Sequence, residues 1–202
     1  MTGFPHSQRF ESAIKRFDEL NAGDPHLELV DGKPQPRELT YARRLTDWVL
    51  RLDPDASETL RLAARCQHLC RWEIPRTDFT MDRPGYLKWR TQLKKFHAEK
   101  SAGVLTDIGY DEATVWKVHA LNLKQGLGTD PDCQTLEDAL CLVFLEFQLT
   151  DLAAKMEDEK LVNALRKSWL KMSERGRAAA MKLEYTDREK ALLQAALRPP
   201  AE

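Results

Sequence analysis

Ser57–Arg71, SETLRLAARCQHLCR, decides the fold. Its apolar residues recur at three- and four-residue spacing, and the turn ahead of it, Asp53-Pro54-Asp55-Ala56-Ser57-Glu58, is rich in Pro and Asp, as a helix start requires. The same period recurs on both sides, at Ser7–Asn21, Arg37–Leu52, Pro84–Lys100, Asp111–Leu123, Cys133–Leu149, Glu157–Leu170 and Thr186–Leu197, with Gly, Pro and Asp clusters between. Asp111-Glu112 puts acid in a first turn, and Thr186-Asp187-Arg188-Glu189 fits a capping box. No segment alternates with the period of a strand. The expectation is an all-α single helical bundle whose first four or five helices surround His68. Residues 1–150 form its core, and 151–202 supply a charged C-terminal helical pair packed on that core, with a frayed end at Arg198–Glu202.

At 202 residues, 42% hydrophobic and 31% charged, the chain is long enough to bury a substantial core. Its 31 Lys and Arg nearly balance its 32 Asp and Glu, so there is no global basic field of the kind that non-specific nucleic-acid binding needs. Any anion site must be local. No stretch approaches the ~20 apolar residues of a membrane span, and MTGFPHSQRF has no secretory pattern, which points to a cytoplasmic location. Cys66, Cys70, Cys133 and Cys141 lack zinc-site spacing and read as buried free thiols.

The candidate site lies in Arg65–Arg90, RCQHLCRWEIPRTDFTMDRPGYLKWR. His68, Trp72, Tyr86 and Trp89 are set there among five arginines, and large aromatics are seldom left in water on a merely solvated face. Helical spacing groups His68 with Arg65, Arg71 and Trp72, and His97 with Arg90, Leu93 and Lys94. Arg76 and Gln67 stand beside them, and a guanidinium fork suits phosphate, sulfate or carboxylate oxygens. A hydrogen-bonded structural histidine is the alternative for His68 and for His97; His6, His26 and His119 read as structural or solvated. Glu137 and Asp138 enter the most apolar helix and want a cation there, either a metal or an arginine; the alternative is a first-turn pair favoured by the helix dipole.

AARCQHLCRWEIPR, GYLKWR, His97 and QTLEDALCLVFLE together resemble an uncharacterised bacterial and fungal family catalogued as a domain of unknown function, over about Phe10 to Phe147. Some of its members carry a glutamyl-tRNA-synthetase-like label, but no nucleotide-binding sheet or matching motif stands in this chain. The resemblance implies a shared helical fold and no settled activity. The layout is also similar to that of the HD superfamily of metal-dependent phosphohydrolases, with Glu38 where a first helix gives His, Gln67 and His68 in place of a His-Asp pair, and Asp138 matching the last ligand. Of these, Asp138 alone keeps the expected residue type.

The reading that follows is a hydrolase of a small phosphate- or sulfate-bearing molecule, a nucleotide being one such substrate. Arg71, Arg76 and Arg90 hold the anion, with Gln67, Trp72 and Lys94 lining the pocket; Glu38, His68 and Asp138 hold one divalent metal (Mn, Fe, Ni or Zn) or orient water; His68, His97 or Glu137 moves the proton. The alternative is a non-catalytic sensor or accessory protein for an anionic metabolite or nucleotide. Membrane binding is not expected, a nucleic-acid partner ranks lower, and a homo-oligomer stays open.

Overall fold

The structure is a computed structural model and describes residues 8–198. The readings made above for Ser7, His6 and Pro199–Glu202 lie outside the described residues. Ten α-helices and one small hairpin make up the described residues. In chain order they are α1 (Gln8–Asn21), β1 (Leu27–Val30), β2 (Lys33–Pro36), α2 (Arg37–Leu52), α3 (Glu58–Cys66), α4 (Arg83–Ile108), α5 (Glu112–Asn122), α6 (Pro131–Val143), α7 (Leu149–Lys155), α8 (Asp158–Lys171), α9 (Glu174–Ala180) and α10 (Asp187–Leu197). The fold is all-α. No helix among the described residues is long and apolar enough to cross a membrane.

The helix starts form where short polar side chains take the free N–H groups of a first turn. Ser57 accepts from Leu60 N–H, Asp82 from Gly85 N–H and Asp111 from Thr114 N–H, and Thr186 with Glu189 closes the expected capping box. One continuous core runs from Phe10 and Phe17 of α1 through Leu45, Leu62 and Leu142 to Leu161 and Leu192 of the C-terminal helices. The C-terminal pair α8 and α10 is joined by a short extra helix, α9, whose ERGRAAA sequence is too brief and too charged to show a period. The four cysteines are free and buried.

Two local readings need correction. The absence of strands fails at LELVDGKPQP, an antiparallel hairpin with Val30 opposite Lys33. Asp31 (φ 51°) and Gly32 (φ 74°) make its turn, and Asp-Gly is a strong short hairpin signal. The period was masked because Leu27 and Leu29 face water, 61% and 74% exposed. The helix expected to reach Arg71 ends instead at Cys66, and Gln67–Cys70 is a turn closed by Cys70 in the left-handed region (φ 54°). Cys70 N–H donates to Asn21 Oδ1 (3.0 Å), which holds this turn against α1.

Candidate functional site

Glu38 stands in the first turn of α2, where Pro36 provides no side-chain cap. Asp24, buried before the hairpin, supplies one: its Oδ2 accepts Glu38 N–H (3.0 Å) while Oδ1 accepts His26 N–H (2.9 Å). Glu38 is itself buried and faces His68, with Oε2 3.3 Å from Nδ1. Arg71 Nε and Arg37 Nη2 each lie 3.8 Å from Glu38 Oε1. Burial raises the Glu38 carboxyl above the usual range, and Arg71 and Arg37 oppose that rise without cancelling it.

The turn after α3 lifts His68 over α2, where its ring stacks on Tyr41 at 4.1 Å between centroids and 10° between planes. Its Nε2 is 3.5 Å from Arg71 Nη1. A guanidinium has only donors, so Nε2 carries the lone pair and Nδ1–H donates toward Glu38. Burial, then Arg71, Lys124, Arg90 and Arg37, hold the imidazole well below its ordinary pKa, so it is neutral. Arg71 in turn lies over the Trp89 ring at 4.8 Å.

His97 of α4 is deeper. Its ring is 5.7 Å from that of His68, its Nδ1 meets Leu69 O at 2.9 Å, and its Nε2 is buried without a partner. Burial, then His68, lower its pKa to about 3. Because Leu69 O only accepts, His97 also carries its proton on Nδ1. With 3% of its surface exposed, His97 has little to offer a ligand directly, against the proton-transfer role expected for it.

Cations surround the Glu38–His68 pair. Arg37, Arg71, Arg90 and Lys124 all act on His68, and Lys124, Arg90 and Lys171 lower the half-buried Lys94 after burial itself. Six basic side chains therefore stand around Glu38 and Glu137, with the Asp24 carboxylate behind Glu38, in a chain whose net charge is −1. Lys124 reaches this place by a strained route. It follows α5 at φ 59°, where Gln125 N–H closes back on Ala120 O (2.9 Å), a position that glycine normally fills and that costs another residue about 1–2 kcal/mol. From there it pairs with Glu137, which Lys171 also approaches at 3.4 Å. Burial would raise Glu137, but Lys124 and Lys171 outweigh it and hold the carboxyl below its usual range.

Other expected site residues are engaged elsewhere. Arg76 donates to Phe79 O (3.0 Å) and Asp82 O (3.2 Å) and so ties its own loop. Trp72 packs partly buried on the core, and Trp89 is the indole that carries an arginine. Gln67 is buried next to His68 with Oε1 unpartnered. Arg90 sits at an exposed rim beside Tyr86, its Nη1 3.4 Å from the phenol oxygen.

Asp138 faces the other way. It accepts from Ser173 N–H (2.8 Å), from the Ser173 hydroxyl and from Gln134 Nε2 (3.0 Å), so its carboxylate is filled by the start of α9. The set Glu38, His68 and Asp138 is therefore not assembled, and among the described residues no three His, Cys, Asp or Glu are placed to hold a metal ion. The donors present do not fit the metal that the HD-like layout implies. Thiolate chemistry is also poorly served, since burial pushes Cys70 up to about 11 and Cys141 up to about 12.

The sequence reading missed Arg37, Tyr41, Lys124 and Lys171. Arg37 and Tyr41 share the first turns of α2 with Glu38, and Lys124 stands in NLKQGLG, where a helix end needs a left-handed residue. Those were available signals. Lys171, at the end of α8, carried none. None of the curated proteins or solved structures compared matches the chain. A family model described as a domain of unknown function, DUF4202, matches residues 11–193, and the chain belongs to that family.

Proposed function

We propose that this protein binds a small phosphate- or sulfate-bearing molecule at the basic cluster around His68 and hydrolyses it in the cytoplasm. One observation carries the reading: four cations, Arg71, Lys124, Arg90 and Arg37, act on a neutral imidazole whose proton is directed at a buried carboxylate, with Lys94 and Lys171 beside Lys124. Preorganised cations in a half-buried setting favour the charge that develops on transferring oxygens. Arg71 and Lys124 hold the anion, Arg90 and Lys94 meet it at the rim, and the Glu38–His68 pair is the reactive element. Tyr86 and Trp89 lie on one turn of α4 with ring centroids 6.0 Å apart, and they give a nucleotide base a surface for stacking.

The test is calorimetric titration with inorganic sulfate, phosphate and a nucleoside monophosphate, alongside hydrolysis assays. Arg71→Ala should weaken binding of the preferred anion by tenfold or more, since a charge-assisted contact of about 1.5–3 kcal/mol is removed. Equal affinity in the wild type and Arg71→Ala would end this reading. A second reading, a sensor that binds the same anion without turnover, is favoured by the engagement of Glu137 and Asp138 in protein contacts, which leaves Glu38–His68 as the one carboxylate–imidazole pair on the cleft.

A further inference from the structure

Resting on the anion-binding reading, the geometry points to His68 Nε2 as a nucleophile that takes the phosphoryl group of the bound ligand and then gives it to water. Three features of the site place the ring for this role. The Nδ1 proton is directed at Glu38 (3.3 Å), which leaves Nε2 as the one lone pair on the ring, and that lone pair faces the guanidinium of Arg71 (3.5 Å). An anion that pairs with Arg71 takes up the Nη1–H that Nε2 meets only at this long distance, which frees the lone pair with phosphorus beside it. The ring cannot swing away from this approach, because it is stacked on Tyr41 at 4.1 Å and has His97 at 5.7 Å. The His68 side chain keeps 21% of its surface exposed, whereas His97 beneath it is buried, so His68 is the imidazole a ligand can reach.

The neighbours then suit the covalent step. As the lone pair of Nε2 forms the N–P bond, the P–O bond to the leaving group breaks, and its electron pair departs on oxygen. That oxygen takes a proton from solvent unless it is already a stable anion. The ring gains positive charge, and the Glu38 carboxylate facing Nδ1–H stabilises it, while Arg71 and Lys124 hold the phosphoryl oxygens. In the second step a water oxygen attacks phosphorus, the N–P pair returns to Nε2, and phosphate leaves with the water's proton passed to solvent. An imidazole kept neutral by burial and cations is a weak base toward water, whose activation wants a pKa near the working pH. A loose phosphoryl transition state asks little basicity of the attacking atom, so the same ring remains competent as a nucleophile.

The experiment mixes the full chain with p-nitrophenyl phosphate, whose leaving group needs no proton, and quenches in alkali. The expected result is a burst of nitrophenolate stoichiometric with protein. The tryptic peptide Cys66–Arg71, with His68 as its single histidine, should carry one phosphoryl group that survives alkali and is lost in mild acid. His68→Asn keeps an N–H for Glu38 but has no Nε2; it should lose the adduct and bind inorganic phosphate within about threefold of wild type. His97→Asn should keep the adduct. Nitrophenolate release without an adduct, release that persists in His68→Asn, an adduct on another residue, or phosphate binding with neither release nor adduct would each overturn the nucleophile. Failure of wild-type protein to bind inorganic phosphate at all would instead overturn the anion-binding reading beneath it.

Discussion

Glu137 and Asp138 are neighbours on α6, and they belong to different parts of the molecule. Glu137 belongs to the basic cluster, where Lys124 and Lys171 meet it. Asp138 points toward α9, where Ser173 and Gln134 fill it with neutral donors. Successive helical residues are turned about 100° apart, so adjacency in sequence puts them on different faces. The cluster around His68 is an excess of positive charge over partly buried carboxylates, and the Asp138 junction is a closed set of hydrogen bonds that fixes one helix to another. Carboxylates in the two places should answer oppositely to the same chemical change.

The largest effect is expected at the junction. Asp138→Asn can keep its amide oxygen on Ser173 N–H and Gln134 Nε2, but it turns N–H₂ at the Ser173 hydroxyl, which donated to the carboxylate, and takes the charge out of all three hydrogen bonds, at a cost of about 2–3 kcal/mol. Gly176→Ala attacks the same contact from the other side, because a Cβ there would lie 2.6 Å from Asp138 Cγ. Both variants should lower the midpoint of denaturant unfolding while leaving phosphate affinity of the folded protein unchanged. A loss of affinity in either would mean that junction and cleft are one unit.

A smaller effect per pH unit is expected at His97, growing as the solution is acidified. With its folded-state pKa near 3, the His97 imidazole resists protonation that the unfolded chain accepts from about pH 6.5 downward. Its contribution is fully present above 6.5 and lost as pH falls from there toward 3, at up to about 1.4 kcal/mol per pH unit. His97→Asn keeps an N–H for Leu69 O and removes the titration, so the variant should gain on wild type steadily as pH falls through that window. Parallel stability curves for the two proteins would contradict the neutral, buried assignment.

Most of the helical frame was legible because period and caps agreed, as at Ser57, Asp111 and Thr186. Of the candidate site, the gathering of His68, Arg71, Arg90 and Lys94 near two tryptophans could be read from spacing, and their geometry could not. His68 was placed on a helix that stops two residues earlier, since nothing in QHLC announces that a cysteine will take a left-handed conformation. Asp138 was sent to the cleft because a carboxylate in an apolar helix states its need for partners and not their direction. Arg76 was counted with the anion site because its guanidinium suits phosphate and carbonyl oxygens alike. Orientation around the helix axis and the ends of short segments are the quantities that packing decides.

The smallest effect, and the most discriminating, is expected at Glu38. Burial is the main influence on its carboxyl and it disfavours the charged form, so the folded protein holds this proton to higher pH than the unfolded chain does. A raised folded-state pKa contributes stability below the ordinary value of 4.5, and that contribution is lost as pH rises through the folded value. Glu38→Gln removes the burden of a buried charge and keeps the shape, while giving up the attraction of Arg71 and Arg37. These terms nearly offset, so at neutral pH the change should be within about 1 kcal/mol of wild type, against the larger cost of Asp138→Asn. The difference between Glu38→Gln and wild type should move in the variant's favour as pH rises from below 4.5 toward neutrality. Removing the Glu38 carboxylate from among these cations should also tighten phosphate binding, even as the reactivity of His68 falls with the loss of its charged partner. A Glu38→Gln protein as damaged as Asp138→Asn would show that both carboxylates are structural clasps, and the cleft would then be held together by the pair that was meant to act in it.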